Sequence, residues 1–163
     1  MALKLCSPED FETFVTKHET RLYRTALSIM GNAADAEDVV QEAFIRAYEK
    51  APDFETSAYE TAWLMKVTVN LCKSHLRSPW RKRTIPLLDT FPATEPEQRE
   101  LLEHILALPP RYRAVIHLFY YEGYSVKEIS NLTGHKEGSV RSLLTRARHK
   151  LKAFLKEDDY ESL

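Results

Sequence analysis

Apolar residues recur at three- and four-residue steps along most of this chain, and this helical period constrains the fold more than any other feature. In the N-terminal half the steps run from Phe11 through Leu22 to Met30. Glycine, which tight turns between strands often need, occurs only four times in 163 residues. The sequence therefore predicts an all-α protein.

Prolines, glycines and capping residues divide this pattern into seven predicted helices. We expect three helices in the first half and four in the second, over about 7–30, 34–50, 61–76, 97–108, 111–121, 125–132 and 138–155. The segment 78–95, between the third and fourth helices, contains three prolines and no sustained period, which is typical of a flexible linker. The predicted organisation is a first domain over 1–77, a linker over 78–95, a second domain over 96–156 and an acidic tail over 157–163.

The formal net charge of −1 conceals a sorting of charges into blocks. Eight acidic residues and two basic ones lie between Asp35 and Glu60, whereas six basic residues and no acidic one lie between Lys66 and Arg83. A further nine basic residues lie between Arg111 and Lys152, against three acidic ones. Basic blocks are candidate nucleic-acid surfaces, and the acidic block needs another partner or solvent.

The second predicted helix carries the acidic block on one face and an apolar stripe on the other. The stripe is predicted to be buried and consists of Ala36, Val39, Val40, Ala43, Phe44, Ala47 and Tyr48. Polar residues at three- and four-residue steps share the exposed face: Asp38, Gln41, Glu42 and Arg46.

The segment 125–152 has the layout of a helix-turn-helix. Ser125 and Glu128 form a capping box, Gly134 permits the short turn, and the following helix buries a stripe from Val140 to Leu151. Its opposite face offers base contacts from Arg141, Ser142, Thr145 and Arg146, with Ser139 beside them. Phosphate contacts are expected from Arg111, Arg113, Arg148 and Lys150.

The third predicted helix combines positive charge with an amide. Lys66, Lys73 and Arg77 neutralise phosphates in this interpretation, and Asn70 hydrogen-bonds a base edge. A predicted polar loop over 53–60 precedes the helix and brings Phe54 and Tyr59 as aromatic surfaces. Trp63, at helical spacing with Val67 and Leu71, is expected in the core.

Several of these segments resemble extracytoplasmic-function sigma factors, the smallest members of the bacterial primary-sigma superfamily. The residues 35–48 (DAEDVVQEAFIRAY) are similar to the family's polymerase-binding helix, and 63–70 (WLMKVTVN) to its promoter-melting helix. The runs 108–113 (LPPRYR), 120–129 (YYEGYSVKEI) and 138–142 (GSVRS) are similar to its second DNA-binding domain.

The resemblance implies that the first domain binds the clamp helices of core RNA polymerase and opens the minus-ten promoter element. The second domain would read the minus-thirty-five element, and the polymerase flap would be a further contact. Asp35, with Glu37, Asp38 and Glu42, would complement a basic coiled coil on the polymerase. Phe54 and Asn70 fall where the family places the pocket for a flipped base. Members of the family are commonly held by an anti-sigma factor, often membrane-anchored.

Three other classes of function fit the sequence less well. A helix-turn-helix repressor or activator would not need the acidic helix, and a structural adaptor would not need the basic recognition face. The sequence shows no Gly-rich phosphate loop and no clustered acids, so we expect no enzyme activity, small-molecule substrate, cofactor or metal site. Two cysteines cannot form a disulfide framework, which fits a cytoplasmic protein.

Overall fold

The structure, a computed structural model, describes residues 7–78 and 96–152, without the side chains of 96–99 and 101. The described residues form helices and contain no strand, which confirms the all-α prediction. The first domain consists of α1 (Pro8–Met30), α2 (Ala33–Lys50) and α3 (Ser57–Arg77); the second consists of α4 (Pro96–Ala107), α5 (Pro110–Ile116), a π-helical segment (His117–Tyr121), α6 (Val126–Thr133) and α7 (Glu137–Lys152). The predicted linker after Ser78 and the acidic tail lie outside the described residues.

Side-chain caps fix where the helices of the first domain begin. The Ser7 hydroxyl accepts from the Asp10 N–H at 3.1 Å, and the Asn32 carbonyl oxygen accepts from the Asp35 N–H at 2.8 Å. Gly31 ends α1 with φ of 80°, a left-handed conformation that favours glycine.

The third helix begins earlier than the sequence pattern predicts. Thr56 caps it by accepting from the Tyr59 N–H at 3.0 Å, so the segment 57–60 is the first turn of α3 and not part of a loop. Glu60 faces inward there, only 5% exposed, and its carboxylate contacts the buried His18 ring. This buried pair ties the start of α3 to α1.

The two domains share a continuous apolar core. In the first domain α1, α2 and α3 pack together around aromatic side chains, among which Phe14 contacts both Phe44 and Phe54. In the second domain α5, α6 and α7 pack around residues such as Leu118 and Leu144. Helix α1 also packs against α5, and α3 against α6, so the domains are directly in contact.

Candidate nucleic-acid interface

One face of α3 carries a stripe of residues that runs from aromatic to basic. Its members follow one another at alternating four- and three-residue steps, which places them along one side of the helix: Tyr59, Trp63, Lys66, Asn70, Lys73 and Arg77. Four of them are exposed, while Trp63 and Lys73 are partly covered. We call this row the α3 stripe.

Two aromatic residues near the start of α3 differ from the predictions. Phe54 is 2% exposed and packs among Phe14, Tyr59 and Trp63, so its ring offers no free surface to a base in this arrangement. The prediction of Phe54 as an exposed pocket wall is therefore corrected. Trp63, predicted in the core, packs edge-on against Phe54 but keeps part of its ring accessible on the stripe.

The basic end of the α3 stripe meets the second domain. A Cβ atom placed on Gly134 would lie 3.7 Å from the Lys73 ammonium nitrogen, so the helix-turn-helix turn sits directly over this side chain. Burial, and next the positive charge of Arg77, lower the pKa of Lys73. Burial and the charge of Lys73 likewise lower the pKa of His135 in the turn.

The helix-turn-helix has the predicted geometry. The Ser125 hydroxyl accepts from the Glu128 N–H at 3.1 Å, and the Glu128 carboxylate accepts from the Ser125 N–H at 3.0 Å. Gly134 ends α6 with φ of 79°, and the Ser130 hydroxyl donates to the His135 carbonyl at 2.6 Å across the turn. These bonds fix the direction in which α7 leaves the turn.

Helix α7 is divided into a buried and an exposed face. The buried side consists of Val140, Leu143, Leu144, Ala147 and Leu151, and the exposed side includes Ser139, Arg141, Ser142, Thr145 and Arg146. Arg141 lies 3.9 Å from Glu137 on the surface, a distance at which water competes easily. We call this exposed set the α7 face.

The predicted phosphate-binding arginines fall into three different environments. Arg111 is exposed and lies over the Tyr112 ring, with 5.0 Å between the guanidinium carbon and the ring centre. Arg148 is half-buried, lies over the Phe119 ring and donates to the Tyr120 hydroxyl. These contacts orient both guanidinium groups at the edge of the α7 face.

Arg113 is not available to phosphate in this arrangement. It is 7% exposed and donates to the carbonyls of Leu106 and Leu108, each at 3.0 Å, and to the Ile29 carbonyl at 2.6 Å. Because its donors are directed at backbone oxygens, the prediction of a phosphate contact at Arg113 is corrected. Sequence reasoning assigned it to DNA from its charge alone and had no signal for its burial.

The acidic face of α2 is exposed as predicted. Asp38, Gln41, Glu42 and Arg46 all face solvent, and the Glu42 carboxylate accepts from the His75 ring at 3.1 Å. Asp35 is half-buried, and its carboxylate accepts a hydrogen bond from the Asn32 amide at 2.7 Å. Part of its hydrogen-bonding capacity is therefore used at the start of α2.

Two large apolar residues extend this face, and sequence reasoning missed both as surface residues. Ile45 is 55% exposed, and Tyr48 is 65% exposed with its ring edge-on to Phe11. The prediction that Tyr48 belongs to the buried stripe is wrong, because the helix turns it past the edge of the α1 contact. An apolar patch beside charged residues is typical of a protein-binding surface.

Among the residues that the structure describes, no group of three or more His, Cys, Asp or Glu side chains is placed to hold a metal ion. Within the same residues, no helix is both long and apolar enough to cross a membrane.

Comparison with known proteins assigns the family. Residues 14–82 match the model of Sigma-70 region 2, and residues 98–151 match that of Sigma-70, region 4. The ECF RNA polymerase sigma factor SigL of Mycobacterium tuberculosis is 34% identical over 152 residues, which cover 86% of each chain. SigE of Mycolicibacterium smegmatis is 33% identical over 93% of this chain, which spans 64% of SigE.

A solved structure supports the same assignment. The sigma factor RpoE of Bartonella quintana, in complex with the anti-sigma factor NepR, is similar with a TM-score of 0.75 and 25% identity, covering 92% of this chain and 99% of RpoE. The chain therefore belongs to the ECF sigma factors of RNA polymerase. It is an alternative sigma factor, a class of transcription initiation factor, and the helix-turn-helix regulator that works without polymerase is not favoured.

Proposed function

We propose that three surfaces of this chain divide the work of promoter recognition. The acidic face of α2 binds core RNA polymerase, the α3 stripe holds the melted minus-ten strand, and the α7 face reads the minus-thirty-five duplex. The first two surfaces belong to a domain over 1–77 and the third to a domain over 96–156, with 78–95 as the linker. The chain acts by binding, in the cytoplasm with its polymerase, and catalyses no reaction itself.

The observation that carries this proposal is the order of groups along the α3 stripe. Tyr59 and the accessible part of Trp63 lie at one end, Asn70 in the middle, and Lys73 with Arg77 at the other end. Unstacked bases need aromatic surfaces and hydrogen-bonding edges, and their backbone needs cations. A strand lying along α3 would meet all three in turn.

The burial of Phe54 changes which rings can stack on an extruded base. Tyr59 is 49% exposed, one turn before Trp63 and three turns before Asn70. Since Phe54 packs beneath both rings, it supports the aromatic end of the stripe from inside. We therefore assign base stacking to Tyr59 and Trp63, and assign Phe54 to holding them in place.

The acidic face of α2 has the composition of a protein-binding surface. Its charged groups attract a basic partner at long range, and Ile45 with Tyr48 adds apolar area that a docked partner would bury. None of these side chains lies in the core, so substitutions test binding with little effect on folding.

Charge reversal tests the polymerase surface. The double substitution Asp38→Lys and Glu42→Lys should weaken binding to core polymerase by roughly tenfold to a hundredfold and raise the dissociation rate. Glu49→Lys, on the same helix but outside this set, is the matched control. Co-purification with core polymerase at the parent's level after both reversals would exclude this surface.

We also infer that an anti-sigma factor regulates this chain. RpoE was solved with the anti-sigma factor NepR, and CnrH, which matches with a TM-score of 0.61 and 25% identity, with the cytosolic domain of CnrY. Such an inhibitor would compete with polymerase for the acidic face of α2. A candidate inhibitor that left polymerase binding unchanged at saturation would contradict this inference.

A further inference from the structure

Three of the cations expected at DNA phosphates lie against tyrosine rings in the second domain. The Arg111 guanidinium carbon and the Lys150 ammonium nitrogen lie 5.0 and 5.6 Å from the centre of the same ring, that of Tyr112. The Arg148 guanidinium carbon lies 5.5 Å from the centre of the Tyr120 ring, and its Nε donates to the Tyr120 hydroxyl. Each distance is within the range of a cation–π contact. Two tyrosines therefore contact all three cations.

Tyr112 meets its two cations from a buried position. It is 3% exposed, whereas Arg111 and Lys150 are exposed. A terminal nitrogen of Arg111 also lies 3.5 Å from the Tyr112 hydroxyl. This hydrogen bond lowers the pKa of Tyr112 more than burial raises it, and the positive charges of Arg111 and Lys150 lower it further. The ring is thus a fixed platform at which two positive charges meet.

Tyr120 reaches Arg148 from the π-helical segment 117–121. A backbone N–H at the end of this segment donates to the carbonyl five residues back, at 3.0 Å. Such wide turns are rare and are found frequently at functional sites. Two neighbouring tyrosines contact different helices from here: Tyr120 accepts from Arg148 of α7, and Tyr121 accepts from Arg24 of α1 at 2.5 Å. Tyr121 therefore makes the same kind of contact as Tyr120, but not with α7.

The contact with Tyr120 orders the Arg148 side chain before any DNA is bound. The hydrogen bond uses the Nε donor, and the guanidinium has further donors on its terminal nitrogens. A long side chain that is already ordered loses less rotamer freedom when it binds a phosphate, so the complex is more stable. The Arg141 side chain, assigned to a base, is 65% exposed and lies 3.9 Å from Glu137 on the surface. The phosphate contact is therefore better ordered than the base contact.

We propose that Tyr112 and Tyr120 are positioning residues for promoter binding, which hold Arg111, Lys150 and Arg148 in place for DNA phosphates before the duplex arrives. The inference rests on the proposed function, which assigns the α7 face to the minus-thirty-five duplex. The tyrosines act through the cations and not through DNA contacts of their own. Loss of a tyrosine should therefore weaken binding to every duplex sequence alike, because phosphate contacts carry no sequence information.

Substitutions of Tyr120 in the full chain separate the hydroxyl from the ring. Tyr120→Phe removes the acceptor of the Arg148 bond and keeps the ring, and Tyr120→Leu removes both. Affinity for the minus-thirty-five duplex should fall roughly threefold in the first and roughly tenfold in the second, with the salt slope unchanged because the same phosphates are neutralised. Tyr121→Phe, which loses the bond to Arg24, is the matched control. The parent's affinity in Tyr120→Leu would overturn the proposal.

A double-mutant cycle shows whether Tyr120 acts through Arg148. Arg148→Ala alone should weaken binding and reduce the salt slope by about 1. In that background Tyr120→Phe should cause no further loss, because the side chain that it positions is absent. An equal loss with and without Arg148 would show a merely structural effect and would overturn the positioning role.

NMR relaxation of the Arg148 Nε–H group tests the support in the free chain, without DNA. Its order parameter should be near that of a rigid group in the parent and in Tyr121→Phe, ~0.85, and should fall below about 0.6 in Tyr120→Phe. A value below about 0.6 in the parent would mean that Tyr120 does not order the side chain in solution.

Tyr112 is buried, so its ring is tested without removing it. The ring current of Tyr112 should shift the protons at the end of the Lys150 side chain upfield in the NMR spectrum of the free parent. The exposed Lys127 of α6 gives the ordinary shifts for comparison. Lys150 protons at the same positions as those of Lys127 would remove Tyr112 from the proposal.

Failure of the proposed function would look different. A parent chain that binds all duplex sequences alike would refute the assignment of the α7 face, whatever the tyrosine variants show. A sequence-specific parent with an ordered Arg148, and no loss of affinity in Tyr120→Leu, would refute the positioning role alone.

Discussion

The α3 stripe and the α7 face are both basic helix surfaces, yet they differ in composition and in how far other residues cover them. The stripe mixes aromatic, amide and basic groups and is partly covered by the other domain, whereas the α7 face carries hydroxyl and guanidinium groups and is exposed. Aromatic rings serve bases that have left the stack, and guanidinium groups serve base edges in a groove. If the proposed function holds, positive charge alone does not identify the form of DNA that each helix binds.

The largest effect should come from the α7 face. Arg141→Ala should cost about 1–3 kcal/mol of binding to the minus-thirty-five duplex and relax its sequence preference, because a bidentate base contact is lost. Binding-site selection with the isolated duplex measures both. Lys127→Ala, exposed on α6 in the same domain, is the control. An unchanged preference in Arg141→Ala would remove the base-contact role from the α7 face.

A smaller effect is expected from the middle of the α3 stripe. Asn70→Ala should reduce open-complex formation by about 1 kcal/mol, since one hydrogen bond to a base edge is lost, while duplex binding stays the same. Ser74→Ala, exposed one turn further along α3, is the control. Transcription from closed and pre-opened templates, with every base at the proposed position, measures the result. The same base ranking as the parent on both templates would make Asn70 structural.

A third substitution separates phosphate contacts from base contacts on the second domain. Lys150 lies over the Tyr112 ring at 5.6 Å, beside Arg111, at the edge of the α7 face. Lys150→Ala should weaken all duplex sequences about equally and reduce the salt slope of binding by about 1. Titrations at several salt concentrations measure this slope. A change in sequence preference would place Lys150 among the base contacts instead.

The smallest effect concerns pH at the covered end of the stripe. Burial and the charge of Lys73 lower the pKa of His135 below its ordinary value, about 6.5, so the folded chain favours the neutral ring. The stability that the neutral ring gives the folded chain is fully present above a pH of about 6.5. It is lost as the pH falls through the lower pKa of the folded state. An NMR titration of His135 should show the lowered pKa, and Lys73→Met should raise it. An identical pKa in both proteins would mean that Lys73 does not lie over the turn in solution.

Local chemistry explains why most of the fold was predictable. The capping box at Ser125, the turn at Gly134 and the apolar period of α7 all act within a few residues, so sequence spacing shows them directly. The start of α3 was misplaced because its inward-facing Glu60 looks like a loop residue until His18 is placed beside it. Here a contact across 42 residues decides which way a charged side chain points.

Periodicity and charge along single segments are enough to predict the helices, their order, the exposed α7 face and the acidic face of α2. The burial of Phe54, the exposure of Tyr48 and the contacts of Arg113 come from long-range packing. Whether a ring or a guanidinium is free depends on what packs against it, and those neighbours come from distant parts of the chain. For Arg113 the deciding neighbour is the end of α1, 84 residues away, whose carbonyls needed a cation that α1 itself does not provide.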